Sequence, residues 1–171
     1  MMFGLSLGQF TAMHVFISLV GIVSGLVALL AFARGAWLAR VTHLFFWTTL
    51  ATNVTGFLFP FKSFTPAIGV GIVSTVVLVA MFFALYRSKL VGGARTVYAI
   101  TAVIALWFNL FVLVVQSFLK IPALHALAPQ GNEPPFAAAQ GVVLLAMIAL
   151  GLACVRKARR WSAGIRMAAL R

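Results

Sequence analysis

The sequence predicts an all-α integral membrane bundle of five transmembrane helices, with its N-terminus outside and its C-terminus inside. Three observations predict it. Only 8% of the 171 residues are charged and 64% are hydrophobic, whereas a soluble domain is about 25% charged; the mean hydropathy is +1.14. Apolar runs recur at the length of roughly 20 residues that a helix needs to cross a hydrocarbon core. The basic residues also fall on alternate loops, so they give the chain a direction.

The first span is expected over about 11–33. The N-terminus lacks the Lys or Arg of a signal-peptide n-region and the apolar run is too long for an h-region, so this helix is expected to stay in the mature protein. His14, Ser18, Gly21, Gly25 and Ala28 are spaced to share one face. Gly21 and Gly25 form a G-x-x-x-G, which lets a second helix approach closely. That face suits a neighbour in the same chain, or a contact with another membrane subunit or a second copy. Span two, about 41–59, ends at Pro60. It carries His43, Asn53 and several threonines, whose hydroxyls can bond back to their own helix carbonyls. Asn53 is different, because a carboxamide in hydrocarbon needs a partner from another helix.

Span three is expected over about 67–86, after a turn in which Lys62 lies between Pro60 and Pro66. The run Gly-Ile-Val-Ser at 71–74 repeats the one at 21–24, a match short enough for chance in so restricted an alphabet. Span four covers about 96–119 and puts Tyr98, Ala102, Ala105, Asn109, Leu113, Gln116 and Lys120 on one stripe. Span five covers about 136–155 and opens after Pro134-Pro135, residues suited to a first helical turn because their missing N–H groups would be unpaired there anyway. A basic cytoplasmic tail, 156–171, follows; it serves to hold the C-terminus inside, in preference to lying on the lipid surface.

Eleven of the thirteen Lys and Arg lie on one side of such a bundle, leaving Lys62 and Lys120 on the other. The poorer side is therefore outside. This orientation gathers His14, Asn53, Asn109, Gln116, Lys120, Glu133 and Gln140 toward one outward-facing polar pocket, with Glu133 and the two proline-rich loops as its roof. Glu133 is the only acidic residue in the chain. It is placed to cap span five and to pair with Lys62 or Lys120. The same amides also serve as inter-helix hydrogen bonds, the plain structural reading of such residues.

Composition excludes several chemistries. Paired carboxylates and a Ser/His/Asp triad are impossible with one Glu and no Asp. The single cysteine, Cys154, rules out an intrachain disulfide or a Cys-based metal motif. His14 and His43 lie at opposite ends of the bundle and cannot share one haem in a monomer; His14, Met13 and His125 make a poor metal set. No catalytic or metal-binding residue is assigned and no cofactor is named. The net charge of +12 is that of membrane topology, not of nucleic-acid binding.

The runs Thr55-Gly56-Phe57-Leu58-Phe59-Pro60-Phe61, Leu127-Ala128-Pro129 and Glu133-Pro134-Pro135-Phe136, with Gln140, resemble those of small bacterial multi-pass membrane proteins of uncharacterised function. The resemblance covers most of spans two to five. It implies a bacterial inner-membrane location and supplies no activity. The expectation is a non-enzymatic accessory subunit or small binding protein in the lipid bilayer. The alternative is a redox protein holding haem, quinone or another apolar small molecule near His14 and Gln116.

Overall fold

The computed structural model describes residues 4–60 and 66–168, and all of its regular elements are helical. In chain order these are α1 (Leu7–Arg34), α2 (Ala39–Phe57), α3 (Pro66–Phe82), α4 (Ala94–Lys120), a short α5 (Pro122–His125) and α6 (Pro134–Ala168). The turn at 61–65, with Lys62 and its aromatic neighbours, lies outside the described residues.

Among the described residues four helices are long and apolar enough to cross a membrane: α1, α3 with its continuation to Arg87, α4 and α6. The helix α2 is not among them. Its 19 residues include Arg40, His43, Asn53 and five threonines, which lower its hydropathy. It nevertheless turns a stripe of large apolar side chains outward, with Leu44, Trp47, Val54 and Leu58 all exposed. Thr42 and Thr49 are buried on the opposite side. The polar composition of α2 is thus spent against its neighbours.

Helices α1 to α4 form a ring, α1 on α2, α2 on α3, α3 on α4 and α4 on α1, and α6 lies in the groove between α4 and α1. The α1–α2 pair is the most extensive contact and α2–α3 the lightest in the ring. Glycine explains the first. Gly21 and Gly25 are both buried, and a Cβ at Gly25 would lie 2.7 Å from the Phe45 ring. The G-x-x-x-G face is therefore occupied within the chain, by α2, and is not open to a second copy.

The ring is filled at one end and hollow at the other. The filled end holds Phe32, Phe45, Tyr98, Ala102 and Leu106, all nearly inaccessible. Phe32, Trp37, Tyr98 and Trp161 stack edge to face or tilted at 5.6–6.3 Å, the offset arrangement that aromatic quadrupoles prefer. Arg95 lies 4.6 Å over the Trp161 ring, a cation–π contact. Lys157 reaches Gly35, which ends α1 in a left-handed conformation at φ +94°; a cation there complements the negative end of the helix dipole.

Two features at this end depart from the sequence expectation. The last turn of α3 widens into a π turn over Phe83–Arg87, which brings Tyr86 within 2.9 Å of His43. The basic segment after residue 155 continues α6 without a break to Ala168. At 1.5 Å per residue a helix of 35 residues extends about 52 Å, well beyond a hydrocarbon core of about 30 Å.

Candidate functional site

The hollow end is where α1 begins, α2 ends, α3 begins and α4 ends. Between them lies a cavity of about 590 Å³, within the range of about 300–1,000 Å³ usual for small-molecule sites. Its walls are mainly apolar: Val15, Leu19 and Ile22 from α1, Phe57 from α2, Ile68 and Val70 from α3, and Phe108, Val112 and Leu113 from α4. The α2–α3 contact is the lightest in the ring; Gly56, Ala67 and Gly71 line the cavity on that side, with the Phe57 ring packed against Gly71.

Five of the seven residues expected at the pocket line this cavity: His14, Asn53, Asn109, Gln116 and Lys120. Three are anchored to a neighbouring helix through threonine. The His14 Nδ1 lies 2.7 Å from Thr55 Oγ1, the Asn53 amide donates to Thr75 Oγ1 at 2.8 Å, and the Asn109 amide donates to Thr49 Oγ1 at 3.2 Å. Phe59 stacks edge-on to His14 at 5.2 Å and fixes the ring from its other side.

The threonines need more than the local role their sequence positions indicate. Thr55 and Thr75 do bond back, to the carbonyls of Ala51 and Gly71. A hydroxyl that gives its one hydrogen to its own helix still has lone pairs to accept with. Back-bonding thus turns Thr55 and Thr75 into fixed acceptors for the next helix. The Thr55 hydroxyl and the His14 Nδ1 share one hydrogen bond, whose donor depends on the histidine tautomer. The other nitrogen, Nε2, has no partner among the described residues. It can accept from a hydroxyl or, once protonated, donate to an anion.

Three more polar groups at the cavity are unspent. Gln116 and Lys120 make no hydrogen bond or ion pair among the described residues. The Thr52 hydroxyl oxygen is fully buried in the wall and has no partner. Gln116 and Lys120 are exposed to the space, whereas an unpaired buried oxygen such as that of Thr52 is costly; Tyr98, Trp107, Arg95 and Gln140 carry other such atoms away from the cavity. Thr52 was missed by the sequence reading, because one threonine among five on the same helix carries no mark of its own.

Two expected residues lie elsewhere. Gln140 donates to the Phe111 carbonyl at 3.2 Å, on the seam between α4 and α6, so it joins helices and does not face the cavity. The Glu133 side chain neither caps α6 nor pairs with Lys120: its two oxygens accept from the N–H groups of Gln130 and Asn132, each at 3.0 Å. The Gln130 N–H, first among these donors, holds the Glu133 carboxyl below the ordinary carboxylate range. The loop it closes packs through Ala128, and Phe118 meets Phe136 at 5.4 Å. Of this loop only Ile121 lines the cavity, so His125 and Glu133 are not its roof. The turn carrying Lys62, the other proposed roof, lies outside the described residues.

His43 has a structural account in Tyr86 and its ring of Phe46, Trp47 and Phe82. Cys154 is buried with Sγ 3.5 Å from the Leu29 carbonyl. Among the described residues no three His, Cys, Asp or Glu side chains gather as a metal site would require.

The fold and site together define a helical bundle with membrane-length helices and a cavity between four helix ends. No protein-family model matches the chain, and neither a curated protein nor a solved structure is significantly similar to it.

Proposed function

We propose that this chain is a non-enzymatic binding protein of the bacterial inner membrane that takes a largely apolar small molecule into the cavity between α1, α2, α3 and α4. In this reading α2 is a fifth span, the N-terminus is outside, the C-terminus is inside, and the cavity faces outward. The outward stripe of Leu44, Trp47, Val54 and Leu58 supports a lipid-facing α2. The bias of eleven basic residues against two supports the orientation.

One observation carries the functional part. A space of about 590 Å³ is walled by apolar side chains and edged by polar groups without partners, the pattern of a ligand site. The redox alternative has less behind it. Only His14 of the three histidines lines the cavity, while His43 is engaged by Tyr86 at the other end.

Native mass spectrometry of protein released from non-ionic detergent micelles tests the reading. The expected spectrum contains a bound small molecule that withstands delipidation, released on unfolding. Bare protein alone, in preparations made directly from native membranes, would contradict it.

A further inference from the structure

We infer that the ligand of this cavity is an anionic amphiphile, an apolar chain ending in a carboxylate or phosphate, with Lys120 as the charge that reads its head. This rests on the binding reading above and goes beyond it by naming the class of ligand.

The argument begins from charge. Positive residues are disfavoured on the outer side of a membrane protein, and only two of thirteen are found there in this orientation. Lys120 is one of them, and it lies in the wall of the cavity at the end of α4. The chain has one carboxylate to offer it, and Glu133 spends both oxygens on Gln130 and Asn132. Lys120 therefore has no counter-ion among the described residues. His14, in the first turns of α1, and Lys120, in the last turn of α4, both line this end of the space.

A second donor fits the same head. The Gln116 amide has hydrogens to donate and no acceptor among the described residues. One turn from Lys120 on α4, it can donate to the same ionised head. The hydrophobic wall of Leu19, Ile22, Phe108 and Val112 then accommodates the chain. A neutral apolar molecule would fill the walls and leave Lys120 without a counter-ion.

The test uses full-length protein in nanodiscs of zwitterionic lipid and three fluorescent probes sharing one tail: an 11-dansylamino-undecanoic acid, the corresponding alkyl phosphate and the corresponding alcohol. At least one anionic probe is expected to bind no less than tenfold more tightly than the alcohol. Lys120→Gln is expected to remove that preference, and Lys120→Arg to keep it. Preference for the phosphate over the carboxylate, or the reverse, identifies the head. An alcohol bound as tightly as both anions, or an anion preference that survives Lys120→Gln, overturns the inference and leaves the binding reading standing. Failure of all three probes to bind overturns both.

Discussion

Gly25→Val is expected to lower the stability of the bundle by about 1–3 kcal/mol, the usual cost of forcing extra carbon atoms into a packed interior. The neighbours leave nowhere to go. A Cβ at this position lies 2.7 and 2.8 Å from two Phe45 ring carbons and 3.1 Å from a Leu106 methyl. Phe45 and Leu106 are both fully inaccessible, so the clash moves backbone rather than a free side-chain end. Helix propensity acts in the opposite direction, since leaving glycine stiffens the unfolded chain. Gly141, with nothing within 4 Å of its Cβ, isolates that term. Gly141→Val measures propensity, and the difference between the two variants measures the α1–α2 seam. Unfolding by denaturing detergent in bicelles gives both. A Gly25→Val protein as stable as Gly141→Val would mean that the close approach of α1 to α2 is not made.

Ser18→Phe is expected to abolish ligand binding, lowering affinity at least tenfold, or about 1.4 kcal/mol, while leaving the fold intact. Ser18 lines the cavity from α1, and its hydroxyl does no more than bond back to the His14 carbonyl at 2.8 Å. Removing that bond breaks no link between helices. The added ring has the void to occupy, so its own burial offsets the lost local bond. Val142→Phe is the control: Val142 is 68% exposed on α6, a helix that contributes no residue to the cavity wall, and the substitution leaves binding unchanged. Fluorescence titration with the tailed probes reads both. Equal affinity in wild type and Ser18→Phe would place the ligand outside this space.

The architecture was legible from the chain because lipid imposes so simple a rule. Satisfying every backbone group internally makes long apolar segments helices, and α1, α3, α4 and α6 followed from that alone. Much of the cavity was legible for a related reason: polar residues are expensive in hydrocarbon, so His14, Asn53, Asn109 and Gln116 stood out from an apolar background. Depth can be read from sequence position, but the direction a side chain faces cannot. Gln140 has the right depth and the wrong side, since it turns to Phe111 on the far face of α4. Glu133 depended on the exact path of a loop whose own N–H groups, and not Lys120, became its partners.

The threonines of α2 show a different limit. Their back-bonds were foreseeable, but their second role as acceptors depended on which helix came to lie opposite. α2 was expected as a span over about 41–59; it is a helix, less apolar than the four membrane-length ones. The packed end was the least visible part. Phe32, Trp37, Tyr98 and Trp161 come from three helices and a loop, and no spacing within one segment announces such a cluster.

The most direct test of an outward-facing cavity is the reactivity of a single introduced thiol, Gln116→Cys, in intact cells treated with a membrane-impermeant maleimide. The native Cys154 is buried and serves as the silent background. Labelling is expected from the outside without permeabilisation, and the anionic probe is expected to protect against it. Labelling that requires access to the inner face would contradict the orientation, and labelling untouched by any occupant would contradict the cavity as a binding site.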